Sequence, residues 1–165
     1  MRYGYFDLAE KEYVITDPAT PAPWVNYLGD PEYGAIISNN AAGYSFVKSG
    51  ANGRITRFRF NSDMALPGRY IYIRDEEKND YWSASWQPVG KPLSLYHSEC
   101  RHGTGYTSIS AEYAGIRSCV TTMSPLESLM KYGASGSQTR IPANAAFPSS
   151  GLWNSQMKAT MSRIR

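Results

Sequence analysis

Hydrophobic and polar residues alternate with a period of two in several short segments of the chain. Residues 54–60 alternate in this way from Thr56 onward, and residues 69–74 place two isoleucines opposite two tyrosines. Such alternation, when it is rich in aromatic residues, is typical of half-buried β-strands. It predicts a strand over each segment, followed by a polar turn at 75–80 and a less regular aromatic strand at 81–86.

A β-hairpin is predicted further along the chain. Residues 105–111 and 116–122 flank the turn Glu112-Tyr-Ala-Gly115, which has a glycine where a tight hairpin requires positive φ. Glycine and proline interrupt the chain at short intervals, and no long segment of residues 1–127 carries a helical period. The pattern therefore predicts an all-β fold, an antiparallel sandwich or barrel.

Charge separates the body of the chain from its tail. Residues 1–127 hold 12 basic and 14 acidic residues, whereas residues 128–165 hold five basic residues and no acidic one, so the net charge of +3 arises in the tail. These basic residues are scattered, which disfavours a nucleic-acid-binding arm. No apolar stretch approaches the ~20 residues of a membrane span, and the N-terminus lacks the apolar segment of a signal peptide. We expect a cytoplasmic protein with neither nucleic acid nor a membrane as partner.

The residues that could hold a metal ion have simpler interpretations. Cys100 and Cys119 show no metal or disulfide spacing and are predicted to be free, partly buried thiols. Cys100 and His102 could form a metal pair, but a structural thiol beside an interface histidine is favoured. The acidic residues of 75–80 could form a calcium loop, but Lys78 and the lack of an EF-hand pattern favour a solvated turn. We therefore predict no metal site and no cofactor.

Aromatic rings are abundant, with 13 tyrosines, five phenylalanines and four tryptophans. Such rings suit the C–H faces of sugars, and they equally suit a sheet core or a domain interface. The densest cluster contains Trp82 and Trp86, which are candidate sugar-binding residues. Arg101 and His102 could donate hydrogen bonds to hydroxyl or phosphate groups, the alternative being an edge arginine paired with an acid. These patterns by themselves identify no reaction.

A collinear series of local motifs extends from residue 1 to about residue 126. The series consists of residues 1–7 (MRYGYFD), 12–16 (EYVIT), 23–29 (PWVNYLG), 37–46 (ISNNAAGYSF), 54–61 (RITRFRFN), 67–75 (PGRYIYIRD), 80–89 (DYWSASWQPV) and 99–106 (ECRHGTGY). In this order the motifs resemble the N-terminal part of the disaccharide phosphorylases of glycoside hydrolase family 94, formerly glycosyltransferase family 36. The last motif differs at Thr104 from the common ECRHGLGY.

The resemblance implies an enzyme that cleaves a β-linked disaccharide with inorganic phosphate, with inversion, and releases a sugar 1-phosphate. It implies a homodimer in which an N-terminal β-supersandwich precedes an (α/α)₆ barrel, and the barrel carries the general acid and the phosphate site. Residues 1–127 then form the first part of an incomplete antiparallel β-sandwich. Phosphate replaces the water of an inverting glycosidase and arrives as an anion, so no base is required.

No residue of this chain matches the family's general acid. We therefore assign no catalytic residue, Asp80 and Glu99 included, and expect the 165-residue chain alone to be inactive. The resemblance also suggests that the N-terminal domain shapes the substrate entrance or the dimer interface, with loop geometry and packing as the alternative role. On that basis the candidates for sugar binding or for an interface are Asn40, Gly43, Tyr44, Arg101 and His102. A stand-alone carbohydrate-binding β domain is the alternative function.

The motif series stops at Pro125–Leu126, and residues 128–165 are predicted to be an irregular tail. The family continues there with strands that resemble YEVWSVRLTN and FSFVEF. In the reading frame that joins the third base of one codon to the first two bases of the next, Met130–Lys131 and Trp153–Asn154 must both encode glutamate. The neighbouring overlaps permit Glu-Val-Trp and Phe-Val-Glu-Phe. One base deleted near codons 126–127 explains these matches and the missing acidic residues; a diverged C-terminal extension is the alternative.

Overall fold

The computed structural model describes residues 3–56, 67–76, 78–123 and 157–163. Within these ranges the regular secondary structure consists of the antiparallel strands β1 Gly4–Asp7, β2 Glu12–Ile15, β3 Val25–Gly29, β4 Tyr33–Ser38, β5 Gly43–Val47, β6 Tyr72–Asp75, β7 Asp80–Ser83, β8 Tyr96–Gly103, β9 Tyr106–Tyr113, β10 Ile116–Met123 and β11 Met157–Arg163. The predicted all-β fold is therefore confirmed. No helix of the described ranges is long and apolar enough to cross a membrane.

In the described part of the chain the strands form three sheets. The largest has six strands in the order β1-β2-β8-β9-β10-β11, and the smaller ones are β3-β4-β5 and β6-β7. The turn between β9 and β10 has φ of 54° at Ala114 and 80° at Gly115. Two central residues at positive φ match the twist of an antiparallel hairpin, so the predicted hairpin and its glycine are confirmed.

One face of the six-stranded sheet carries the core. The strand register aligns Ile15, Cys100, Ile109 and Val120 across four neighbouring strands, and each is at most 9% exposed. Residues directly opposite each other in antiparallel strands share a face, which is termed the inner face here. The β6–β7 hairpin packs on this face through Trp82, and the turn after β4 packs beside Ile15. The arrangement is two-layered and open, as in the predicted incomplete sandwich.

The other face of the same sheet is termed the outer face, and it is polar along β8 and β9. The residues between the core positions of these strands are His97, Glu99, Arg101, Ser108, Ser110 and Glu112, all of them at least partly exposed. A sheet packed on one side shows this alternation because only one face is withdrawn from water.

The remaining strand predictions hold in shortened form. The turn at 75–80 lies between β6 and β7, as predicted, but the strand expected over 69–74 is limited to Tyr72–Asp75. The strand expected over 81–86 ends at Ser83, because the chain turns there and Trp86 has φ of 66°. The strand expected over 54–60 is not seen in its described residues, because Arg54 forms only an isolated bridge to Phe46 and Ile55 and Thr56 lie in a bend, and residues 57–60 lie outside the described residues.

The tail differs from the irregular segment expected over 128–165. Residues Met157–Arg163 form β11, which pairs antiparallel with β10. The physical reason is the free edge of β10, whose backbone groups need hydrogen-bond partners. The rest of the tail lies outside the described residues.

Candidate functional site

Arg101 lies in β8 on the outer face and is held by carboxylates. Its Nε is 2.6 Å from Glu99 Oε1, and its Nη1 is 2.9 Å from Glu12 Oε2 and 3.5 Å from Asp7 Oδ2. The Tyr106 hydroxyl donates to the other Glu12 oxygen at 2.5 Å. Hydrogen bonding to Glu12 raises the pKa of the Arg101 guanidinium and of the Tyr106 phenol above their ordinary values. Arg101 is thus paired with acidic residues, which is the alternative to donating hydrogen bonds to hydroxyl or phosphate groups of a ligand.

His102 is the next residue and lies on the inner face, because successive side chains of a strand alternate. Its Nδ1 is 3.0 Å from Thr107 Oγ1, its Nε2 is 3.2 Å from the Trp24 carbonyl oxygen, and its ring is 3.8 Å from Cys100 Sγ. Burial lowers the pKa of His102 and raises the pKa of Cys100, so both side chains are neutral at pH 7. Cys100 is thus a buried thiol beside His102, whereas an interface role of His102 stays a prediction. Arg101 and His102 lie on opposite faces and do not converge on one site.

Neither cysteine is in a disulfide, as predicted: Cys100 is buried and Cys119 is partly buried. The described ranges hold no group of three or more side chains that could bind a metal ion. In the acidic turn, Asp75 Oδ1 accepts the Lys78 amide at 3.3 Å, and Asp80 pairs with Lys91. The acidic turn is therefore held by a hydrogen bond and an ion pair with other residues of this chain.

Asn40 lies in the tight turn between β4 and β5, and Gly43 and Tyr44 are the first two residues of β5. Asn40 Nδ2 donates to the Pro18 carbonyl oxygen at 2.9 Å. Gly43 has φ of 143°, and a Cβ at this position would lie 1.9 Å from the Ile36 carbonyl oxygen. Tyr44 is only 7% exposed. These contacts account for loop geometry and packing, and a sugar-binding role for these residues stays a prediction.

The two tryptophan candidates differ from each other in burial. Trp82 is 1% exposed, and its ring centroid lies 5.8 Å from that of Tyr96 and 5.9 Å from that of Tyr113. Trp86 is partly buried, and its Nε1 donates to the Lys91 carbonyl oxygen at 2.8 Å. Trp82 therefore fills the space between the β6–β7 hairpin and the large sheet, and in this structure its ring has no face free for a sugar.

A charged and aromatic cluster beside these residues was not expected from the sequence. Lys91 Nζ is 2.5 Å from Asp80 Oδ1, and the Tyr113 hydroxyl donates to Asp80 Oδ2 at 2.9 Å. The same ammonium lies 5.3 Å from the ring centroid of Tyr113 and 5.9 Å from that of Tyr81. The hydrogen bond from Lys91 holds the pKa of Asp80 below its ordinary value. No local sequence signal joins these residues, because they come from β7, β9 and the loop before β8.

Exposed rings lie next to the predicted aromatic candidates. On the outward face of the β6–β7 hairpin, Tyr72 is 55% exposed and Tyr81 is 57% exposed. Arg74 is also exposed and pairs with Tyr81 in the strand register. A signal for this surface existed in the sequence: if Ile73 and Trp82 face the core, their neighbours face outward. We refer to this exposed surface, which is formed by Tyr72, Arg74 and Tyr81, as the amphipathic platform.

Comparison with known proteins identifies the family. Residues 11–133 match the model of the glycosyl hydrolase 94 supersandwich domain. The chain is 50% identical over 125 residues to N,N'-diacetylchitobiose phosphorylase of Vibrio furnissii, covering 76% of this chain and 16% of that enzyme. The corresponding enzyme of Vibrio proteolyticus is 48% identical over 125 residues, again 76% of this chain and 16% of the enzyme.

A more distant relative matches the chain over a similar length. Solabiose phosphorylase of Paenibacillus borealis is 31% identical over 122 residues, covering 69% of this chain and 15% of that enzyme. The chain thus spans only 16% or less of the length of these curated relatives. The family match covers most of the chain, and the described strands are those of an open antiparallel sandwich. Residues 11–133 match the supersandwich domain, and the chain therefore belongs to glycosyl hydrolase family 94.

Proposed function

We propose that the chain supplies part of the supersandwich domain of an inverting glycoside phosphorylase that acts on a β-linked disaccharide and inorganic phosphate. The observation that supports this proposal is the 50% identity over 125 residues to N,N'-diacetylchitobiose phosphorylase. N,N'-diacetylchitobiose is accordingly the first disaccharide to test.

Inverting phosphorolysis breaks the glycosidic bond at C1, forms a new bond from C1 to a phosphate oxygen on the opposite face, and delivers a proton to the leaving oxygen. The donor must be a protonated acid near neutral pH. Asp80 does not suit this role because its pKa is lowered by Lys91. Glu12 and Glu99 are both paired with Arg101. We therefore propose a scaffold role for this chain and no phosphorolytic activity for the 165 residues by themselves.

Two assays test these proposals. The purified chain is incubated with phosphate and N,N'-diacetylchitobiose or cellobiose, and we expect no sugar 1-phosphate; turnover would overturn the proposed inactivity. In the second assay, residues 11–126, which precede the proposed change of reading frame, replace the matching segment of the Vibrio furnissii enzyme. We expect a folded, active chimera, with a chimera carrying Ile109→Asp in the buried core as the misfolded control. A folded but inactive chimera would contradict the scaffold role.

Carbohydrate binding by the domain itself is the second candidate function. The observation that favours it is the exposed platform of Tyr72, Arg74 and Tyr81, since amphipathic rings beside a hydrogen-bond donor suit a sugar ring. Calorimetric titration with N,N'-diacetylchitobiose tests it. We expect Tyr81→Ala to weaken binding, and Tyr27→Ala, which removes a 70% exposed tyrosine from β3, to leave it unchanged. Equal effects of the two variants would rule out the platform.

We further propose a cytoplasmic location and homodimeric assembly, without nucleic acid or membrane partners. The support is the family membership of residues 11–133. Cell fractionation tests the location, and light scattering of the assembled phosphorylase tests the dimer. A secreted or monomeric enzyme would contradict these statements.

We also propose that residues 128–165 are translated out of the family's reading frame. The support is the pair of glutamates forced by Met130–Lys131 and Trp153–Asn154 in the overlapping frame. Genomic DNA sequenced past the stop codon tests this proposal. A shifted frame that continues into a barrel is expected, and the absence of such a frame would make the tail an authentic extension.

A further inference from the structure

We propose that Asp80 and Lys91 form a diol-binding subsite beside the amphipathic platform, and that they bind two neighbouring hydroxyl groups of a sugar ring that stacks on Tyr81. The inference rests on the proposed carbohydrate binding, and it names the part of the sugar that the domain recognises. The expected ligand is a neutral sugar with two free hydroxyl groups on adjacent carbons.

The three side chains lie together at the turn end of the β6–β7 hairpin. Asp80 and Tyr81 are the first two residues of β7, and Lys91 comes from the loop before β8. Lys91 Nζ is 2.5 Å from Asp80 Oδ1 and 5.9 Å from the ring centroid of Tyr81. The exposed fraction of the side chain is 19% for Lys91 and 34% for Asp80. The charged pair is therefore partly withdrawn from water but still accessible beside an exposed ring.

The carboxylate of Asp80 can accept one more hydrogen bond. Its two oxygens offer about four lone-pair positions. Asp80 Oδ1 accepts from Lys91 Nζ and from the Tyr81 amide at 2.8 Å, and Oδ2 accepts from the Tyr113 hydroxyl at 2.9 Å. Within the part of the chain that the structure describes, these three bonds leave one position on Oδ2. A sugar hydroxyl can donate to this position.

The ammonium of Lys91 supplies the complementary donor. An ammonium carries three N–H groups, and among the described residues Lys91 donates only to Asp80. Its Nζ is held near two rings, at 5.3 Å from the centroid of Tyr113 and 5.9 Å from that of Tyr81. Hydrogen bonding between the two groups lowers the pKa of Asp80 and raises the pKa of Lys91, so both are charged at neutral pH. Hydrogen bonds of a ligand to this pair are therefore charge-assisted.

A diol matches the pair because each of its hydroxyl groups can both donate and accept. One hydroxyl donates to Asp80 Oδ2 and its neighbour accepts from Lys91 Nζ, while the apolar C–H face of the same ring stacks on Tyr81. N,N'-diacetylchitobiose has one such pair, the C3 and C4 hydroxyls of its non-reducing ring, because no other two of its hydroxyls lie on adjacent carbons. The subsite therefore selects the non-reducing end of this disaccharide.

Calorimetric titration of the full-length chain tests the subsite, with N,N'-diacetylchitobiose and with the analogue that lacks the C4 hydroxyl of the non-reducing ring. We expect loss of this hydroxyl to raise the dissociation constant about tenfold, because a charge-assisted hydrogen bond is lost. Lys91→Met should weaken binding of the complete disaccharide to a similar extent, and it should reduce the effect of the missing hydroxyl to less than about twofold. The matched control Lys78→Met removes an exposed lysine of the same hairpin, whose Nζ contacts the Ala114 carbonyl oxygen at 3.0 Å, and should leave binding unchanged.

The outcomes separate this subsite from carbohydrate binding in general. If Tyr81→Ala weakens binding but neither Lys91→Met nor loss of the hydroxyl does, the platform binds the sugar and the subsite is overturned. An equal penalty for the missing hydroxyl in the unchanged chain and in Lys91→Met would also overturn it. If the unchanged chain is folded and does not bind the disaccharide, the proposed carbohydrate binding fails and the subsite fails with it. The comparison of the two sugars on the unchanged chain requires no substitution, so it decides the question even if Lys91→Met does not fold.

Discussion

The two faces of the six-stranded sheet use neighbouring residues for opposite purposes. On the inner face, Cys100 lies in an apolar cluster and His102 is hydrogen-bonded to Thr107 and the Trp24 carbonyl oxygen, and burial keeps both side chains neutral. On the outer face, Glu99 and Arg101 are charged and joined in one network with Glu12. The difference shows that adjacency in sequence does not make a site in a strand, because each residue belongs to a different environment.

The largest effect on stability is expected for Trp82, whose ring extends from the β6–β7 hairpin into the core on the inner face of the large sheet. Trp82→Ala should lower the free energy of unfolding by about 4 kcal/mol, because it removes a fully buried ring and leaves a cavity. Tyr81→Ala, its exposed neighbour in β7, should change stability by less than ~1 kcal/mol. Urea denaturation of the full chain measures both. Comparable losses for the two variants would contradict the separation of the faces.

The same contrast can be tested within β9. Ile109→Ala should cost about 3 kcal/mol, since Ile109 is 3% exposed in the inner core. Ser108→Ala should cost about 1 kcal/mol or less, because its hydroxyl contacts Thr121 Oγ1 at 3.1 Å and Cys119 Sγ at 3.5 Å on the partly exposed outer face. Denaturation midpoints report the difference, and a larger loss for the serine variant would reverse the assignment of the faces.

A buried carboxylate makes the outer face stronger than an ordinary polar surface. Glu12 is 7% exposed and accepts hydrogen bonds from Arg101 and Tyr106. Glu12→Gln should lower the free energy of unfolding by about 2 kcal/mol. The control Glu112→Gln breaks an exposed pair with Arg117 and should cost less than ~0.5 kcal/mol. Chemical denaturation measures the loss of stability in both variants, and equal losses would contradict the contrast between the buried and the exposed glutamate.

The smallest effect is a pH dependence that arises on the inner face. The pKa of His102 in the folded chain lies below its ordinary value of about 6.5, so the unfolded chain binds this proton more readily. Neutral His102 therefore stabilises the folded chain above about pH 6.5, and this contribution to the free energy of unfolding is lost as the pH falls below that value. His102→Gln should flatten the fall in stability between pH 7 and pH 5. If the stability of the His102 variant depended on pH as that of the unchanged chain does, the lowered pKa of His102 would be contradicted.

Local sequence patterns predicted those features that depend on near neighbours in the chain. The alternation and the Gly115 turn predicted the β9–β10 hairpin, and the hairpin forms because its backbone geometry is set within a few residues. The candidate site was less predictable. Residue type suggested that Trp82 binds a sugar, but its burial follows from β8 and β9 packing beneath it. The exposed ring is that of Tyr81, one position earlier.

The sequence by itself determined the fold class, the family, and the β9–β10 hairpin of the large sheet. These follow from a period of two, from turn residues, and from a collinear series of motifs, all of which are local. Only the tertiary structure decided that Arg101 pairs with Glu12, that Asp80 pairs with Lys91 and Tyr113, and that Met157–Arg163 lies along β10. These outcomes depend on contacts between residues far apart in the chain, and burial and strand register, rather than residue type, select among them.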